Sequence, residues 1–192
     1  MLTELTNSIQ LIVQQTEFNA AILTKIVGML WLIYFVNIIL HQRLLYLGII
    51  PRHLLGLPGI FFAPLLHANF NHLFYNTIPL IVLSNFILIQ GVNYFLAVTA
   101  FITIVSGILI WCFAKSGIHV GASALITGYW GLLVGDIYEQ GTLTAYILGG
   151  LSLYYFAGIF FGIFPQQKGV SWEGHLFGLI AGLSLSFILT MH

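Results

Sequence analysis

Ser123 stands in the run Gly121, Ala122, Ser123, Ala124, and His175 lies 52 residues further on in a second apolar segment. A serine hydroxyl is a weak nucleophile at neutral pH. A histidine beside it can take its proton and return it to a leaving group, which is the chemistry of acyl transfer. His72 and Asn76 are four positions apart, so on a helix they project about 40° from each other and share one side. Polar side chains grouped in that way can hold the negative oxygen that develops when a carbonyl is attacked. Whether these four groups meet depends on the segments that carry them.

Those segments lie in a membrane. Of the 192 residues 59% are hydrophobic and only 5% charged, and the mean hydropathy is +1.02, where soluble domains carry about 25% charged residues. Five basic and five acidic residues cancel, which leaves no electrostatic footprint for nucleic acid and no polybasic patch for lipid headgroups. Function must come from individual polar residues. A single cysteine, Cys112, sits in an apolar run and reads as a small core residue. It excludes a disulfide within the chain and a paired-cysteine metal site. Glu4 and Glu17 precede the first apolar run, so no cleavable signal is expected.

A hydrocarbon core of about 30 Å takes about 20 apolar residues per helix. Six candidate spans result, at residues 22–40, 72–89, 94–114, 120–134, 143–164 and 172–190. The expected fold is therefore an all-α, six-transmembrane-helix bundle forming one domain over residues 1–192, with 1–21 an N-terminal segment and 22–192 the core. The second span carries Asn76, Pro79, Ser84 and Asn85 and should be buried among its neighbours. The fourth span, bracketed by Lys115 and Asp136, rises only about 22 Å. It must begin inside the membrane below a dipping loop (Ser116, Gly117, Ile118, His119) that protein or water shields. Residues 41–71 are too apolar for a free loop and too broken by Gly48, Pro51, Gly56, Pro58, Gly59 and Pro64 for a span. They read as a partly embedded interfacial structure.

With alternating direction, the second, fourth and sixth spans run the same way. His72 and Asn76, Ser123 and His175 lie at their starts and so converge near one membrane face. At a helix N-terminus Ser123 also brings backbone N–H groups and the positive end of the dipole. Gly178 and Gly182 make a small-xxx-small stripe that allows close approach of the fourth and sixth helices, with Gly121 and Gly128 as facing recesses.

These residues resemble the rhomboid intramembrane serine proteases. The family's Gly-x-Ser-Gly motif corresponds to Gly121, Ala122, Ser123 and Ala124. Its sixth-helix histidine and glycine-rich stripe correspond to His175, Gly178, Ala181 and Gly182, and its second-helix pattern to His67, His72 and Asn76. The likeness runs from the first span to the C-terminus. It implies a Ser-His dyad with Ser123 as nucleophile and His175 as general base and acid. The oxyanion would be held by His72, Asn76 and the Ser123 backbone N–H, with no cofactor and no metal. It further implies transmembrane proteins as substrates, and a multi-pass protein of a bacterial inner membrane whose site opens to the outer face. The oligomeric state is not written in the sequence. Asp136 and Glu139 lie about 20 Å along the helix from Ser123, too far to orient His175. Glu173, two positions from His175, should point elsewhere.

Three features depart from the family pattern. Ala124 replaces the glycine after the serine, Thr127 replaces an aromatic residue that packs on the histidine, and Phe61, Phe62, Ala63 and Pro64 replace a Trp-Arg pair in the first loop. The first two motivate an alternative, a catalytically inactive relative that binds transmembrane helices. A metal or haem site competes poorly, because His67 and His72 are about 140° apart on a helix and no carboxylate or thiolate completes a set. A channel is disfavoured because the polar cluster lies at one face only. His67 reads as a structural bridge between the first loop and the bundle, while His41, His53, His119 and His192 read as interfacial. Basic residues number four on the side of the candidate site (Arg43, Arg52, Lys115, Lys168) against Lys25 on the other. The positive-inside rule thus opposes the outward orientation that the resemblance implies.

Overall fold

A computed structural model describes residues 2–164 and 171–191, apart from the Thr190 side chain; Lys168 and His192 lie outside the described residues. The first helix, α1 (Leu2–Ile39), has 38 residues and so a length of about 57 Å. It takes in nearly all of the segment that the sequence suggested would precede it. The reason is local: no glycine or proline interrupts residues 2–27, and leucine, glutamine, glutamate and alanine, which favour helix, recur along the run.

The first loop is folded rather than free. Short 3-10 turns at Arg43–Leu47, Leu54–Gly56 and Ala63–Leu65 flank a single helical turn, α2 (Gly59–Phe62). Ile49 and His119 form an isolated antiparallel bridge with N–O distances of 3.0 and 2.9 Å. Arg52 reaches the Ala114 carbonyl at 2.7 Å, and the Trp111 indole donates to the His53 carbonyl at 2.9 Å. This ties the loop to α4 (Val92–Phe113) and to the stretch before α5 (Ser123–Glu139).

Helix α3 (Phe70–Leu88) is the second apolar segment of the sequence, and Asn76, Ser84 and Asn85 are buried in it as expected. Asn85 accepts from Asn19 at 3.1 Å and donates to Thr16 at 2.8 Å, which pins α3 to α1. Helix α5 runs past Val134, where the sequence suggested it would stop, because Asp136 is not a solvent bracket. The residue is 3% exposed, and its carboxylate accepts from Ser186 at 2.6 Å and Gln140 at 2.7 Å. The fifth segment breaks into α6 (Leu143–Phe156) and a single turn, α7 (Gly158–Phe161), ahead of α8 (Trp172–Thr190).

Helix α5 lies at the centre, with Tyr129 and Leu132 fully buried in a core shared with α3, α4, α6 and α8. Among the described residues three helices are long and apolar enough to cross a membrane: Leu2–Ile39, Val92–Phe113 and Trp172–Leu189. The contact of α5 with α8 is backbone on backbone. A Cβ at Gly178 would overlap the Ala124 carbonyl, and one at Gly182 the Gly128 carbonyl.

Candidate active site

The chain leaves α4 at Ala114 and reaches α5 through a non-helical stretch. That stretch is held by the His119 bridge to Ile49 and by the Gly121 N–H, which donates to the Ala63 carbonyl at 2.9 Å. Gly121 has φ +119°, and a Cβ there would also come within 2.6 Å of His72 Nε2. Glycine is required at this position twice over, for the backbone and for the imidazole. The facing recess that the sequence assigned to Gly121 is thus filled by His72, while Gly128 lies against α8, 3.1 Å from the Gly178 carbonyl to its would-be Cβ.

Ser123 is the first residue of α5, where backbone N–H groups have no partner within the helix. Its side chain lines a cavity of about 520 Å³ together with His175, His72 and Asn76. The four residues singled out in the sequence therefore face one space, from the N-terminal ends of α3, α5 and α8. Among the described residues no hydrogen bond joins Ser123 to His175. Catalytic hydrogen bonds are commonly long in unliganded sites and tighten only around substrate.

Asn76 is held from behind. Its amide nitrogen lies 3.1 Å from His67 Nε2, and the Ala122 N–H donates to the same nitrogen at 3.4 Å. Because both partners donate, His67 Nε2 must be the acceptor and Nδ1 must carry the proton. His67, 1% exposed, sits in the loop before α3, its ring 5.1 Å from that of His72. Burial, and then repulsion from His72, lowers its pKa to about 3, against the opposing pull of the Leu65 backbone. A neutral His67 is thus built in. It fixes Asn76 so that the second amide hydrogen can serve the cavity. With its Nε2 lone pair occupied, it is not free to bind a metal.

Sequence reasoning assigned no role to His119, yet it lines the same cavity. Its Nε2 donates to the Lys115 carbonyl at 2.8 Å, so Nδ1 accepts from Ser171 Oγ at 2.9 Å. Ser171 in turn caps α8 by accepting the Gly174 N–H at 3.2 Å. A chain of hydrogen bonds therefore runs from the first loop to the helix that carries His175. The one signal that could have pointed to this hydrogen-bond chain is Ser171 itself, an N-cap residue type directly ahead of an apolar run. Thr127 does not orient the histidine: it is 1% exposed and its hydroxyl donates to the Ser123 carbonyl at 2.7 Å.

Comparison with known proteins places the chain among relatives. The family model described as Rhomboid domain matches residues 55–192. Uncharacterized proteins of Mycobacterium tuberculosis (strain H37Rv) and Mycobacterium bovis are each 38% identical to this chain over 175 residues, covering 85% of it and 72% of their own length. An uncharacterized protein of Mycobacterium leprae is 35% identical over 185 residues, covering 83% of this chain and 73% of its own.

Proposed function

Because this chain belongs to the rhomboid family of integral membrane proteins, which in general comprises intramembrane serine proteases, we propose that it is a serine endopeptidase that hydrolyses peptide bonds in or near transmembrane segments of other membrane proteins. The observation that carries this reading is the single cavity shared by Ser123, His175, His72 and Asn76. Ser123 Oγ attacks the scissile carbonyl while His175 takes its proton, and His175 then gives that proton to the leaving amine. Water hydrolyses the acyl-enzyme by the same route in reverse. The tetrahedral oxyanion is met by His72, by the free hydrogen of the Asn76 amide and by the Ser123 backbone N–H. No metal or cofactor takes part.

In this reading α1, α3, α4, α5, the α6–α7 segment and α8 all cross the bilayer, with the site toward the outer face of a bacterial inner membrane. A substrate must release backbone from helical hydrogen bonds before attack, so scissile bonds fall near small or helix-breaking residues. An inactive relative that binds transmembrane helices is the second reading, favoured by Ala124 and by the open Ser123–His175 pair. Labelling of the purified chain with a fluorophosphonate separates the two. Ser123-dependent labelling, lost in Ser123→Ala, together with Ser123-dependent cleavage of a single-span membrane protein, supports the protease. Labelling indifferent to Ser123→Ala leaves the binding role ahead. A C-terminal reporter fusion with a cytoplasmic readout fits the proposed orientation, and a periplasmic readout overturns it.

A further inference from the structure

Neither Thr127 nor Asp136 orients His175: Thr127 is bound to the Ser123 carbonyl, and Asp136 is bound to Ser186 at the far end of α5. Its Nδ1 is buried and makes no hydrogen bond of ordinary geometry among the described residues. What lies against that nitrogen is Gly162, at the end of the α6–α7 segment. A Cβ built on Gly162 would overlap His175 Nδ1 and come within 2.8 Å of Cε1, so the ring nitrogen faces the bare Gly162 backbone. Gly162 has φ −65° and ψ −16°, a helical conformation open to any residue. Glycine is therefore needed there for room, not for backbone freedom.

We propose that Gly162 is a positioning residue: its bare backbone closes on the back of His175, where the carbonyl takes up Nδ1–H, holds the tautomer with Nε2 unprotonated and so aims Nε2 at Ser123. This rests on the protease reading above. A dyad needs its histidine in one tautomer and one orientation, a task that a carboxylate performs in triads. Here a peptide carbonyl performs it, delivered by the segment next to α8. In the proposal the hydrogen bond closes when substrate fills the cavity, as catalytic hydrogen bonds commonly do. The ring shifts outright if a methyl group is placed between them.

The test compares Gly162→Ala with Gly158→Ala, a change four residues earlier on the same segment, whose added Cβ meets nothing within 4 Å. In the full chain in detergent, Gly162→Ala is expected to lower the rate of Ser123 labelling by fluorophosphonate about 10²-fold, the scale of a 1 Å misplacement, in protein whose thermal unfolding stays cooperative. Gly158→Ala should label at the wild-type rate. Nitrogen-15 NMR of histidine-labelled wild type, assigned by the signal lost in His175→Gln, should show Nδ1 protonated and Nε2 bare, and in Gly162→Ala a mixture of tautomers. Wild-type labelling kinetics in Gly162→Ala, or an Nε2–H tautomer in the wild type, overturns the proposal. Should Gly162→Ala fail to fold, the wild-type tautomer decides alone. Failure of the protease reading shows itself separately, as wild-type labelling that does not depend on Ser123.

Discussion

Gly178→Ala puts the geometry under the most direct strain. Its Cβ would lie 2.8 Å from the carbonyl carbon of Ala124 and 3.0 Å from its Cα, with the carbonyl oxygen closer still, where ordinary contact begins at 3.4 Å. All of these are backbone atoms of α5, one residue past Ser123, and none can rotate away. Relieving the carbon contact alone requires α8 to retreat by about 0.6 Å, and the oxygen requires more. Overpacking of this kind typically destabilises by about 1–3 kcal/mol. Displacement of His175 from Ser123 on an ångström scale lowers the rate by about 10²-fold. Gly182→Ala meets the Gly128 carbonyl carbon at 2.8 Å and the Leu132 nitrogen at 2.9 Å, one turn further from the serine. Its stability loss should match and its rate loss should be smaller. Thermal unfolding and fluorophosphonate labelling of the two variants, with Gly150→Ala as the unobstructed control, measure both quantities. Gly178→Ala that melts and labels like the wild type would refute the claim that close α5–α8 contact holds the site.

Asn76→Ala should lower the labelling rate by about 10²–10³, the usual loss for one oxyanion donor, without abolishing Ser123 dependence; an unchanged rate removes Asn76 from the proposed role. His67 gives a pH dependence whose sign follows from its lowered pKa of about 3. The unfolded chain binds a proton at this histidine below about pH 6.5 and the folded chain does not. The stability that its neutral form contributes is whole above pH 6.5 and is lost as pH falls from there toward 3. By pH 5 the loss is about 2 kcal/mol from this group. Melting of wild type and of His67→Gln across pH 7 to 5 checks this, since the variant keeps an acceptor for Asn76 but should lose that part of the slope. Equal slopes would contradict it.

The apolar runs and the positions of Ser123, His175, His72 and Asn76 at helix starts were legible because helix direction and residue spacing are one-dimensional facts. Alternating direction alone brings the starts of α3, α5 and α8 to one end. The helical N-terminus of α1 was hidden because hydropathy measures membrane preference, and a polar run of good helix formers reads as a tail. Asp136 was misread for a related reason: a carboxylate looks like a boundary until Ser186, 50 residues away, is seen to donate to it. His119 read only as an interfacial loop residue, and Gly162 carried no signal. Each acts through a contact across the fold, with Ser171 and with His175, and neither lies at a motif spacing.

Ala124 shows how such contacts change the meaning of a motif. Read on the sequence, the methyl group that replaces the usual glycine stands beside a closely packed helix. In the structure α8 meets the carbonyl of Ala124, through Gly178. The alanine side chain packs instead on the apolar cluster of Ile49, Ala63, Ile110 and Ala114 beneath the first loop. The two positions divide the space between them: a methyl is accommodated at 124 because the room that α8 requires is made at 178. The departure from Gly-x-Ser-Gly therefore bears on the floor of the site under the first loop, where Ser123 and Ala124 both border a water-sized cavity of about 30 Å³. It leaves untouched the distance between the helices that carry serine and histidine.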